Sequence, residues 1–122
     1  MRTKVIVVDD SSTARNQVSE VLLGAGYEVI EAADGHEGVT QVAAHPDAKM
    51  VVCDVNMPKM NGLEMLVAVK RGGQNAALRF LMLTTEAQPA LVRAAKQGGA
   101  SGWVIKPFKP ELLLAAVRKL AG

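Results

Sequence analysis

The stretch Met50-Val51-Val52-Cys53-Asp54-Val55-Asn56-Met57-Pro58 decides the fold. An apolar run stops at an aspartate and then breaks into a loop carrying Asn and Pro. A short apolar run bounded by turn signals suits a strand buried on both faces. Asp54 then stands at the carboxyl end of that strand, the edge at which open α/β sheets bind ligands. A carboxylate placed there is an acceptor, a ligand or a cap, and the rest of the chain helps to decide which.

The same pattern recurs on both sides of this stretch. Val5-Ile6-Val7-Val8 is a first buried strand, and it ends in Asp9-Asp10. Ser11 and Ser12 are N-cap candidates. Ala14, Val18, Val21, Leu22 and Ala25 follow at helical spacing, and Gly24 and Gly26 end that helix. Glu28 to Ala32 reads as a second strand, more polar and so nearer an edge. Asp34-Gly35 reads as a turn, and Gly38, Val39, Val42 and Ala43 mark a second helix stopped by His45-Pro46. After the Asp54 strand, Asn61-Gly62 opens a third helix with Leu63, Leu66, Val67 and Lys70, closed by Gly72-Gly73.

Phe80-Leu81-Met82-Leu83 is a fourth strand that ends in Thr84-Thr85-Glu86. Pro89 suits the first turn of a fourth helix, which carries Leu91, Val92, Ala95 and Lys96. Gly102 to Ile105 is a fifth strand ending in Lys106-Pro107. Pro110 starts the last helix, with an expected apolar face of Leu112, Leu113, Ala116, Val117 and Leu120. Five strands alternating with five helices predict a parallel sheet with helices on both faces. No repeat, linker or low-complexity segment interrupts the pattern, so one domain over residues 1–122 is expected.

Composition narrows the function classes. Hydrophobic residues make up 49% of the 122, which argues against disorder, and aromatics only 3%, so the core is aliphatic. A net charge of +2, with no arginine-rich run or aromatic ladder, gives no case for nucleic acid. The single cysteine, Cys53, cannot form an internal disulfide and reads as a small core residue. No segment approaches the ~20 apolar residues of a membrane span. Met1-Arg2-Thr3-Lys4 runs straight into a strand, without room for a signal peptide. A cytoplasmic protein without membrane insertion is expected.

Parallel strands present their carboxyl ends on one side, which brings Asp9, Asp10, Asp54, Thr84 and Lys106 to one edge. Three carboxylates that close repel one another. Lys106 offers one compensating charge, and a hard divalent cation such as Mg²⁺ offers two more. With the cation bound, Asp54 is able to attack phosphorus as a carboxylate nucleophile, giving an aspartyl phosphate. The cation and Lys106 then stabilise the transferring phosphoryl oxygens, and Thr84 adds a hydroxyl donor. Each residue alone has a plainer reading: Asp9-Asp10 as a helix cap, Asp54 as a turn cap, Thr84 as a strand end, Lys106 as a solvated side chain. Their shared position at four strand ends makes coincidence a poor explanation.

The order Asp9-Asp10, Asp54, Thr84 and Lys106-Pro107 resembles the receiver domain of bacterial two-component response regulators, and within it the single-domain, CheY-like chemotaxis type. The likeness covers essentially the whole chain. It implies a flavodoxin-like, doubly wound sheet of strand order 2-1-3-4-5. CheY itself is a standing example of that order, which therefore comes from the resemblance and not from the pattern. It implies that Asp54 is the phospho-acceptor, that Asp10 binds Mg²⁺ directly and Asp9 mostly through water, and that Asn56 supplies its backbone carbonyl. Thr84 and Lys106 hold the phosphoryl group, and the Lys106–Pro107 bond is expected to be cis. Asn56 and Glu86 tune the lifetime of the phosphoryl group. Thr84 and the aromatic at position 103, here the larger Trp103, form the switch.

The same resemblance implies a phosphohistidine donor on a CheA-like sensor histidine kinase. It implies a chain that catalyses only its own phosphorylation and dephosphorylation, and an output face on the fourth helix, fifth strand and fifth helix. The last helix ends at Gly122, so output by protein–protein contact is expected, with the flagellar motor switch as partner. A phosphate sink or relay intermediate without a motor target is the nearest alternative. An aspartyl-phosphate phosphohydrolase wants a second aspartate where Asn56 stands. A flavin carrier wants a phosphate cradle where Asp9-Asp10 would repel it.

Overall fold

The computed structural model describes residues 2–55, 57, 60–73, 77–84 and 89–121, with only the backbone for Pro89, Leu91 and Val92. Strands β1 (Lys4–Val8), β2 (Glu28–Ala32), β3 (Met50–Asp54), β4 (Arg79–Thr84) and β5 (Gly102–Ile105) alternate with five helices. These are α1 (Ser12–Gly24), α2 (Gly35–Ala44), α3 (Gly62–Gly72), α4 (Pro89–Gly98) and α5 (Pro110–Ala121). All strand pairs are parallel, and the sheet order is β2-β1-β3-β4-β5. The expected doubly wound sheet is therefore the observed one. β2 lies at an edge, in line with its two glutamates, Glu28 and Glu31.

Successive side chains of a strand point to opposite faces, and each central strand here is apolar on both. Val5, Val7, Val52, Leu81 and Leu83 face Val18 and Leu22 of α1 and Leu113 and Val117 of α5. Ile6, Val8, Val51, Cys53, Phe80 and Met82 face the other side, with Val42 of α2, Met65, Leu66 and Val69 of α3 and Ala95 of α4. Fully burying one such aliphatic side chain stabilises the fold by about 1.5–3 kcal/mol. With both faces covered, polar groups of the sheet reach solvent chiefly at its ends.

Local capping matches the helix starts. The Ser11 hydroxyl accepts from the Ala14 N–H at 3.2 Å. Asn61 and Glu64 form a reciprocal capping box, with Glu64 N–H donating to Asn61 Oδ1 at 2.9 Å and Asn61 N–H to Glu64 Oε1 at 3.0 Å. Asp34-Gly35 is not a free turn: Asp34 caps α2, accepting from the Glu37 N–H at 2.8 Å. Leu112, expected on the apolar face of the last helix, faces outward instead, as does Val67 of α3. Met65 and Val69 take the buried side of α3. Runs of consecutive apolar residues leave the phase of a helix ambiguous, and packing against the sheet selects it.

Gly62 fixes how closely α3 approaches the end of β3. A β-carbon at this position would lie 2.5 Å from the Asp54 carbonyl oxygen, a backbone atom that cannot swing away. The Gly62 N–H donates to the Val55 carbonyl at 3.1 Å, which ties the helix start to the strand end. Gly62→Ala should therefore lower stability by about 1–3 kcal/mol, the usual cost of overpacking. Urea unfolding checks this, and an unchanged midpoint would contradict the close approach.

Candidate functional site

The carboxyl edge of the sheet gathers the expected residues. Asp9 and Asp10 follow β1, Asp54 ends β3, Thr84 ends β4 and Lys106 follows β5. Register carries β5 to this edge: Thr84 pairs with Ile105, and the Lys106 N–H donates to the Thr84 carbonyl. The Lys106–Pro107 peptide is cis. One carboxylate oxygen from each of Asp9, Asp10 and Asp54 lies within 4.8 Å of the others. Asp9 is 1% and Asp54 5% exposed, Thr84 is fully buried, and Asp10 is exposed. The cluster thus has a buried floor and an open side.

Lys106 is the cation that sits among the acids. Its Nζ lies 2.9 Å from Asp9 Oδ2 and 3.5 Å from Asp54 Oδ2. Burial works against its charged form. The hydrogen bond to Asp9 and the charges of Asp54 and Asp9 outweigh that effect and hold the ammonium above the usual lysine value. Among the described residues, three carboxylates against one ammonium leave two negative charges in excess. Three oxygen donors converging with an open side suit a hard divalent cation, which takes carboxylates and keeps several waters. The chemistry of the donor set fits Mg²⁺. Cys53 lies beside the cluster, and burial with the charges of Asp54 and Asp9 pushes its thiol up, so it stays a neutral core side chain.

Residues 5–118 match the response regulator receiver domain family. The chain belongs to that family. This receiver is 37% identical over 120 residues to the chemotaxis protein CheY1 of Helicobacter pylori, covering 98% of this chain and 97% of that one. It superposes with a TM-score of 0.93 on the chemotaxis protein CheY4 of Vibrio cholerae, at 42% identity, covering 98% and 99% of the two chains. It also resembles a receiver from Borrelia burgdorferi solved as a CheX–CheY–BeF₃–Mg²⁺ complex. There the TM-score is 0.89 at 29% identity, covering 96% of this chain and 87% of that one.

Not every candidate residue of the receiver is placed. Asn56 and Glu86 lie outside the described residues. Trp103 is partly exposed and packs on the core beneath α2, α3 and α4, on the strand face it shares with Met82. Its ring N–H is buried without a hydrogen-bond partner among the described residues. A cavity of about 80 Å³ lies beside it, lined by Ala95, Lys96, Ala100, Ser101 and Gly102. No described helix is long and apolar enough to cross a membrane.

Two contacts at the site were not foreseen from sequence. The Ser11 N–H donates to Asp9 Oδ1 at 2.9 Å, and Arg15 Nη1 donates to the Asp9 carbonyl at 2.7 Å. Arg15 lies at a polar position of a helix whose core face was the visible signal.

Lys106→Met tests the electrostatic account of the free protein. It strips a charged hydrogen bond from a buried carboxylate, which costs about 1–3 kcal/mol. Denaturation without divalent cation should show that loss. A variant as stable as wild type would mean that Asp9 does not depend on Lys106.

Proposed function

We propose that this receiver accepts a phosphoryl group on Asp54 from a phosphohistidine of a CheA-like sensor histidine kinase, and signals by phosphorylation-dependent protein binding. The observation that carries the reading is the Lys106 ammonium lying between Asp9 and Asp54 within a cluster of three carboxylates. A structural ion pair needs one acid. A phosphoryl site needs an acceptor, a cation site beside it and a movable cation to receive the new charge.

In the proposed step an Asp54 oxygen forms the O–P bond as the donor N–P bond breaks, and the electron pair returns to the imidazole nitrogen. With acetyl phosphate the leaving group is acetate instead. Asp9, Asp10 and Asp54, with the Asn56 carbonyl, would hold Mg²⁺, which would supply positive charge to the transferring phosphoryl oxygens. Lys106 exchanges its Asp9 hydrogen bond for a phosphoryl oxygen, and the Thr84 hydroxyl donates to another. Water attack on phosphorus later returns Asp54 and inorganic phosphate, with Asn56 and Glu86 setting the rate.

Two further elements of the reading concern output. Thr84 and Trp103 couple phosphorylation to the surface formed by α4, β5 and α5. The similarity to chemotaxis proteins supports an output in chemotaxis, for which the partner in this reading is the flagellar motor switch, in the cytoplasm. The Trp103 N–H, buried without a partner among the described residues, supports a switching role, because such a donor makes the present packing replaceable.

Incubation with acetyl phosphate and Mg²⁺ followed by intact-mass spectrometry should add one phosphoryl group to wild type and none to Asp54→Asn. Stoichiometric label on Asp54→Asn under native conditions would overturn the acceptor assignment. Trp103 fluorescence should change when Mg²⁺ and beryllofluoride are added together. An unchanged spectrum, with binding confirmed by calorimetry, would remove Trp103 from the switch.

A further inference from the structure

Asp9 has all its polar groups engaged. Its N–H donates to the Ala32 carbonyl of β2 at 3.1 Å. Its carboxylate accepts from the Ser11 N–H through Oδ1 and from Lys106 Nζ through Oδ2, both at 2.9 Å. Its carbonyl accepts from Arg15 Nη1 at 2.7 Å. That last group belongs to the peptide shared with Asp10. Fixing the carbonyl fixes the plane of this peptide, and with it the positions of the Asp10 nitrogen and Cα from which the side chain leaves the backbone. Asp10 is exposed, so its aim depends on the backbone that carries it.

Arg15 is itself held. Its Nε donates to Glu31 Oε1 of β2 at 2.9 Å, and its side chain is 18% exposed. The guanidinium thus links α1, the Glu31 side chain of β2 and the end of β1 through one rigid planar group. A lysine offers a point charge on a flexible stem and cannot hold two acceptors in that fixed relation.

We propose that Arg15 is a positioning residue for the cation site: with Glu31 as its anchor, it sets the Asp9–Asp10 peptide so that the Asp10 carboxylate faces Asp54. The proposal rests on reading the carboxylate cluster as a divalent-cation site. Its sign separates it from a simple charge effect. A positive group near three carboxylates opposes cation binding, so removing it should tighten binding if charge were its role. A positioning role demands the reverse.

The test is calorimetric titration of the full chain with MgCl₂, alongside the melting temperature without Mg²⁺. Arg15→Met should weaken Mg²⁺ binding by about tenfold or more, the scale of effect known for residues that orient metal ligands. Arg15→Lys should weaken it too, although the charge is kept. Glu31→Gln, which keeps an acceptor for Nε, should stay close to wild type. Unchanged or tighter Mg²⁺ binding in Arg15→Met overturns the proposal, even if its melting temperature falls. If Arg15→Met does not fold, Arg15→Lys decides, and wild-type affinity there overturns the proposal. Failure of wild type to bind Mg²⁺ would instead overturn the cation-site reading beneath it.

Discussion

Like charges that a parallel sheet forces together are the constraint on which this structure turns. Strands that run the same way end on the same side, and two of the loops they feed, those after β1 and β3, begin with or follow an aspartate. The fold cannot spread these carboxylates apart without giving up the register that buries the strands on both faces. Lys106 relieves part of the repulsion from the end of β5. The remainder leaves a site with excess negative charge and one open side. A site of that kind gains from a divalent cation.

The supporting structure keeps that site in place. Gly62 lets α3 close against the Asp54 carbonyl, and the Asn61–Glu64 box starts the helix at that point. Ser11 caps α1 while its own N–H holds the Asp9 carboxylate, so one residue both starts a helix and orients an acid. Arg15 adds a third tie from the same helix. Local capping and site geometry are therefore the same set of contacts seen from two sides.

Much of this was legible in the sequence because strand ends carry their own signals. Apolar runs that stop at Asp9-Asp10, Asp54, Thr84 and Lys106 announce both the elements and the edge they share. The strand bounds at β2 and β5 follow directly from Glu28, Ala32, Gly102 and Ile105. Helix phase was less legible. Val67 and Leu112 are apolar yet exposed, since neighbours of similar hydropathy compete for the buried side and only the packed sheet decides. Asp34-Gly35 read as a turn because a helix N-cap and a turn use the same residue types. Arg15 gave no signal, because its role depends on a backbone carbonyl that only the folded end of β1 presents. The placement of Trp103 is likewise a tertiary fact, and that its N–H is unpaired among the described residues could not be read from composition.

The most direct measurement is a crystal structure of the protein grown with MgCl₂ and beryllofluoride. The account predicts beryllium bonded to a carboxylate oxygen of Asp54, a cation held by Asp9, Asp10 and Asp54, and Lys106 Nζ moved from Asp9 to a fluoride. Beryllium bound elsewhere, or bound to Asp54 with Lys106 still paired to Asp9 and no cation among the acids, would contradict it.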